Sequence, residues 1–179
     1  MPNPPKRILV VGPTGSGKTI VGSQLARVYG LEHVELDALH WGPDWIVRPE
    51  FEEDASRAVQ GDAWVIDGGY TRVTEVAWPR AELVVWLDYT FPAVFTQLFF
   101  RTIRRCWTKE IVFSGNHESW RTQCLSKDSL FLWLIQTYSK RKRTLDGLAQ
   151  KHPGVSLLQH LNRKQTNAWL SSLHTHAAG

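Results

Sequence analysis

One eight-residue stretch constrains this chain more than any other. Gly12-Pro-Thr-Gly-Ser-Gly-Lys-Thr19 satisfies the pattern G-x-x-x-x-G-K-[ST] at every fixed position. The apolar run Arg7-Ile-Leu-Val-Val-Gly12 precedes it, and Val21, Leu25, Val28 and Tyr29 follow at helical spacing, closed by Gly30. A buried strand, a glycine-rich turn and a helix in that order make an anion cradle. Glycines let backbone N–H groups curl around a phosphate without Cβ clashes, and the helix N-terminus adds partial positive charge. Gly12, Pro13, Thr14, Gly15, Ser16, Gly17, Lys18 and Thr19 are therefore the expected ATP-binding residues. Lys18 would reach the β and γ phosphates, and the Thr19 hydroxyl would ligate Mg²⁺.

The rest of the chain alternates in the same way. His33–Asp37, Ala63–Asp67, Leu83–Asp88 and Val155–Gln159 read as further buried strands. Helices are expected from Pro49 to Gly61, from Thr90 to about Trp107, from about Asp128 through Arg143, and over Asn167–Leu173. Short buried strands separated by helices predict a parallel α/β sheet covered on both faces. At 179 residues, with no linker or repeat, the expectation is one domain over 1–179. Residues 108–127 lack periodicity and are too long for an ordinary connection, which marks a lid segment.

Composition narrows the setting. No apolar stretch reaches the length of a spanning helix, and the first residues lack the apolar core of a signal peptide. Two cysteines, Cys106 and Cys124, make no disulfide framework, and with His117 they lack a metal-ligand spacing. A soluble cytoplasmic protein is expected, without a membrane partner. Residues 1–89 hold 8 Lys and Arg against 13 Asp and Glu, and the remainder hold 13 against 4. The basic half suits a polyanion: a nucleotide, a nucleic acid or an acidic surface.

Ligands of open α/β sheets bind beyond the carboxyl ends of the strands. Asp67 ends an apolar strand, the position for a carboxylate that holds Mg²⁺. Asp37 ends the strand after the first helix and would face a phosphoryl acceptor as base or orienter. Asp88 reads as a helix-capping residue. Arg72, a few residues past Asp67, is expected to turn back onto a phosphate. Arg101, Arg104 and Arg105 share a helix face that Lys109 continues, and Arg121 lies across the irregular loop. Four like charges on one face suit an anion seated among them, carried onto the phosphates when the lid closes. Lys140-Arg-Lys-Arg143 reads as a solvated run. His40, Trp41 and Trp45, with Arg48 beyond, could wall an acceptor, although nine tryptophans in the chain mean that most serve the core. No Asn-Lys-x-Asp motif selects guanine, and the chain is short for a motor ATPase.

The order of the phosphate loop, Val34-Glu-Leu-Asp-Ala-Leu-His-Trp41, Trp64-Val-Ile-Asp-Gly-Gly-Tyr70 and Val84-Val-Trp-Leu-Asp88 resembles small bacterial P-loop proteins. These are labelled adenylate kinase-like or "DNA topology modulation" proteins. Arg101-Thr-Ile-Arg-Arg105 and Ser114-Gly-Asn-His-Glu-Ser119 belong to the same pattern, which covers about residues 6–173. More distantly the chain is similar to nucleoside monophosphate and shikimate-type kinases. That resemblance implies a five-stranded sheet of order 2-3-1-4-5, Mg-ATP binding and a lid carrying arginines. It also implies that Arg72 binds a phosphate and that Asn162-Arg163 lines the adenine. Gly69-Tyr70-Thr71 stands where the adenylate kinases carry Phe-Pro. The expectation is an Mg-ATP-dependent kinase acting on a nucleotide or small metabolite. A nucleotide-binding regulatory protein that contacts DNA is the alternative.

Overall fold

A computed structural model of the chain describes residues 4–117 and 129–177. Five strands form one sheet: β1 (Arg7–Val11), β2 (His33–Glu35), β3 (Trp64–Asp67), β4 (Leu83–Leu87) and β5 (Ser156–His160). Their order is β2-β3-β1-β4-β5, and every neighbouring pair is parallel. Parallel strands need crossovers, and seven helices lie among the described residues. They are α1 (Lys18–Tyr29), α2 (Leu36–His40), α3 (Phe51–Gln60), α4 (Thr71–Ala77), α5 (Phe91–Thr108), α6 (Leu130–Lys151) and α7 (Arg163–Ala177).

The pleat of β1 divides the core. Leu9 and Val11 face one layer with Trp64, Trp78 and Trp86, packed under α3, α4 and α6. Ile8 and Val10 face the other, packed under α1, α5 and α7. Of the eight described tryptophans, Trp64, Trp78 and Trp86 are buried, all in the first layer, Trp41, Trp45 and Trp169 are half-buried, and Trp107 and Trp133 are exposed. Gly30 caps α1 in the left-handed conformation, as its place after the apolar stripe predicts.

Three differences from the sequence expectations bear on the site. The second strand stops at Glu35, where its pairing with Asp67 ends, and the chain turns at once into α2. Asp37 thus sits in the first turn of a short helix and not at a strand end. Helix α4 directly follows Tyr70, and α7 starts at Arg163, earlier than the sequence suggests. Asp88 caps nothing: it accepts from Lys142 Nζ, and from Gln159 Nε2 at 2.8 Å. No helix among the described residues is long and apolar enough to cross a membrane.

Candidate nucleotide and acceptor cleft

The carboxyl ends of β1 and β3 and the N-terminus of α1 open into a cleft of about 1630 Å³. One drug-sized ligand fills roughly 300–1,000 Å³, so two molecules fit side by side. The floor is the phosphate loop. Gly15 and Gly17 hold φ of 87° and 90°, a region that L side chains avoid, and this aims successive N–H groups inward. Ser16 Oγ is buried and makes no hydrogen bond to a described residue. Lys18 is buried and donates to Pro13 O at 3.1 Å. Burial, then the nearby Arg141 charge, lower its pKa to about 8. This buried cation has Asp37 and Asp67 near it but also a second cation beside it, and phosphate oxygens would add the counter-charge that burial favours.

Three oxygens meet next to it. Thr19 Oγ1 donates to Glu35 Oε1 at 2.8 Å and lies 3.3 Å from Asp67 Oδ1. Asp67 is 1% exposed, and His33 Nε2 lies 2.6 Å from its Oδ2. Burial raises the Glu35 pKa against the lowering effect of the Thr19 hydroxyl, and Asp67 and Asp37 push it further up. Crowded carboxylates beside a hydroxyl are a donor set of hard oxygens, which fits Mg²⁺ held partly through water. Among the described residues no group of three or more His, Cys, Asp and Glu side chains cages a metal alone. Glu35 and His33 were not singled out in the sequence. Their signal was position: each lies on the strand paired with β3, next to Asp67.

Across the cleft, Asp37 lies beside Tyr70, whose phenol is pushed up in pKa by burial and then by that carboxylate. Five aromatic rings pack here. His40 meets Trp41, Phe51 and Tyr70 with ring centroids 4.5–4.7 Å apart, and Trp41 meets Trp45 at 5.7 Å. His40, Trp41, Trp45 and Tyr70 line the cleft, as does Phe113 from the described part of the lid.

The arginines are distributed differently from the expectation. Arg72 does not turn back: its side chain is 90% exposed and pairs with Glu52 at 3.3 Å. Thr71 lines the cleft, and the next residue of a helix points about 100° away from it. Arg48 donates to Leu39 O at 3.5 Å and to Asp54 at 3.2 Å, behind the acceptor loop, and is not part of the cleft wall. Arg101, Arg104, Arg105 and Arg163 do line the cleft. The stripe carries its own counterion, because Glu110 accepts from Arg104 at 3.0 Å and from Arg105 at 3.3 Å. Arg121 falls outside the described residues.

Arg141 was read as part of a solvated run, and the structure corrects that. It is half-buried and lines the cleft, near enough to both Asp37 and Lys18 for their charges to act on one another. It donates to Gly12 O at 3.3 Å, and its Nη1 lies 2.0 Å from the point where a Cβ on Gly69 would stand. The sequence held a signal for this. Leu134, Tyr138, Arg141, Leu145 and Leu148 follow one heptad stripe of α6, so Arg141 occupies an inward position.

Sheet order, phosphate loop and cleft define the P-loop fold of the small kinases. Solved structures agree on the fold. A shikimate kinase from Bacteroides thetaiotaomicron is 16% identical with a TM-score of 0.53, covering 98% of this chain and 100% of that one. A shikimate kinase from Acinetobacter baumannii in complex with shikimate is also 16% identical, with a TM-score of 0.56 over 95% and 91%. In sequence, a shikimate kinase from Halorhodospira halophila (strain DSM 244 / SL1) is 53% identical over 34 residues, 19% of each chain. No family model matches the chain.

Proposed function

We propose that this chain is an Mg-ATP-dependent phosphotransferase that moves the γ-phosphoryl group of ATP to a hydroxyl of a small acceptor. The observation that carries this reading is the cleft's two-sided chemistry. A buried lysine in a phosphate cradle stands at one side, and Asp37 among aromatic rings stands at the other. Both open into one space large enough for two ligands.

The roles follow from position. The N–H groups of residues 14–19 and the Lys18 ammonium hold the phosphates, and Arg163 lies where the cleft continues beside α7. Thr19, Asp67 and Glu35 would hold Mg²⁺, with His33 fixing the orientation of Asp67. When bound, the ion neutralises charge on the β and γ oxygens. Asp37 accepts the proton of the acceptor hydroxyl as that oxygen bonds to the γ phosphorus. The bond from that phosphorus to the β–γ bridging oxygen breaks, and ADP leaves. Arg141, near both Lys18 and Asp37, would meet the charge on the transferred group, together with Arg101, Arg104 and Arg105, which also line the cleft.

The acceptor side favours a ring. Its wall is His40, Trp41, Trp45 and Tyr70, and the two arginines expected on the acceptor side, Arg48 and the phosphate-binding candidate Arg72, engage acidic residues away from it. A hydroxylated ring compound without a phosphate of its own therefore suits this wall better than a nucleoside monophosphate. The test is Asp37→Asn. Mg-ATP should bind with unchanged affinity by calorimetry, while transfer to an acceptor panel that includes shikimate, nucleosides and AMP falls. Undiminished transfer in that variant would refute the role given to Asp37, and AMP as the best acceptor would refute the ring-alcohol assignment.

A further inference from the structure

Two short turns face each other above the acceptor side of the cleft, and they are built alike. In the acceptor loop, Gly42 N–H donates to Ile46 O at 2.8 Å, Ile46 N–H returns to Pro43 O at 3.2 Å, and Trp41 bridges Val47. In the lid segment, Val112 N–H donates to Asn116 O at 2.8 Å, Asn116 N–H returns to Phe113 O at 3.1 Å, and Ile111 bridges His117. Each turn spends residues in the left-handed region, Asp44 and Trp45 in one, Ser114 and Gly115 in the other. Backbone in that region is costly outside glycine, so both turns are held by specific bonding.

Among the described residues three side-chain hydrogen bonds join the two turns, two of them through one side chain. Asn116 Nδ2 donates to Gly42 O at 2.8 Å, and its Oδ1 accepts from Trp45 N–H at 3.3 Å. Ser114 Oγ adds a bond to Trp41 O at 2.6 Å. Asn116 is only 7% exposed. A carboxamide donates from one atom and accepts on another at once; a carboxylate of the same shape cannot donate, and a methyl does neither. The backbone groups that it satisfies belong to Trp45 and Gly42, beside the two tryptophans of the acceptor wall. Phe113, which completes that wall, is three residues before Asn116 in the same turn.

We infer that Asn116 is a positioning residue for the acceptor: it docks the lid turn on the acceptor loop, so that both walls of the acceptor site close as one body. The inference rests on the phosphotransferase reading for what the site binds, but the docking stands on geometry alone. Acceptor and lid are then coupled. The aromatic wall has its working shape only with the lid down, and an acceptor that fills it stabilises the docked state by the same factor. ATP is held by the phosphate loop, none of whose residues takes part in the three bonds that dock the turns.

The experiment compares the wild-type chain with Asn116→Ala, Asn116→Asp and Ser114→Ala by hydrogen exchange on residues 41–48, Mg-ATP calorimetry and acceptor kinetics. Asn116→Ala and Asn116→Asp should each speed exchange over 41–48 by about tenfold or more, and Ser114→Ala by less. The KM of the acceptor phosphorylated by the wild type should rise about tenfold in both Asn116 variants, with the KM for ATP unmoved. Unchanged exchange over 41–48 would overturn the docking. Faster exchange with an unmoved acceptor KM, or an equal rise in the KM for ATP, would overturn the positioning role. A wild-type chain that binds no Mg-ATP would refute the phosphotransferase reading instead, and the exchange comparison would still decide the docking.

Discussion

Replacing Gly69 by alanine is a small change with a large calculated consequence. The φ of Gly69 lies outside the left-handed region, so alanine suits the backbone. Its Cβ, however, would stand 2.0 Å from Arg141 Nη1, 2.7 Å from Cζ and 2.8 Å from Nη2. Ordinary contact begins near 3.4 Å, so the guanidinium must withdraw by about 1.4 Å. A misplacement of about 1 Å at a reacting centre costs about 10²-fold in rate, and removal of one charge-stabilising donor costs about 10²–10³-fold. Gly69→Ala should therefore lower ATP turnover by about 10²-fold, close to the effect of Arg141→Ala. Stability should hardly change. Alanine stiffens the unfolded chain by about 0.4–1 kcal/mol, which offsets the loss of the single bond from Arg141 to Gly12 O, worth about 1 kcal/mol. The assay is steady-state turnover and thermal unfolding of both single variants and the double variant. Because both substitutions remove one guanidinium from one place, the double variant should be no slower than Arg141→Ala. Additive losses, or full activity in Gly69→Ala, would refute the role assigned to Arg141.

Two further outcomes follow from the phosphate side of the cleft. The Lys18 pKa is lowered to about 8 by burial and Arg141, and phosphate contact returns it toward its ordinary value, so ATP binding takes up a proton above pH 8. Affinity should be flat below about pH 7.5 and weaken by about tenfold per unit above pH 8, with calorimetry in buffers of different ionisation enthalpy reporting the proton; a flat profile to pH 9.5 refutes the assignment. Glu35→Gln and Asp67→Asn should each raise the Mg²⁺ concentration for half-maximal turnover by about 10-fold or more, the larger effect at Asp67, which is the more buried; an unmoved Mg²⁺ titration in both would remove this cluster as the ion's site.

The features legible in the sequence were those written in local pattern. The phosphate loop is a local motif, and the sheet order follows from the kinase resemblance that the motif and strand-end aspartates support. Arginine roles were harder to read, because they depend on which way a helix is turned. Arg72 was assigned by its distance from Asp67, but α4 starts one residue before it and turns its side chain outward to Glu52. Arg141 was hidden inside a run of four basic residues, where composition suggests solvent and only the heptad stripe from Leu134 to Leu148 points inward. Glu35 stands two residues from Asp37, and the early end of β2 puts one on the strand opposite Asp67 and the other in the first turn of α2. The contact of Asn116 with Gly42 spans 74 residues and involves no periodic element, so no sequence window contains both partners.

The central claim is that this cleft moves a phosphoryl group from ATP to a hydroxyl. The most direct measurement follows the phosphorus signals of Mg-ATP by NMR in the presence of the acceptor panel, with the wild-type chain and with Lys18→Ala. The account predicts that the wild type converts the γ signal into a phosphate-ester signal as ADP appears, and that Lys18→Ala leaves ATP intact. Inorganic phosphate as the only product, or the same conversion in both chains, would contradict it.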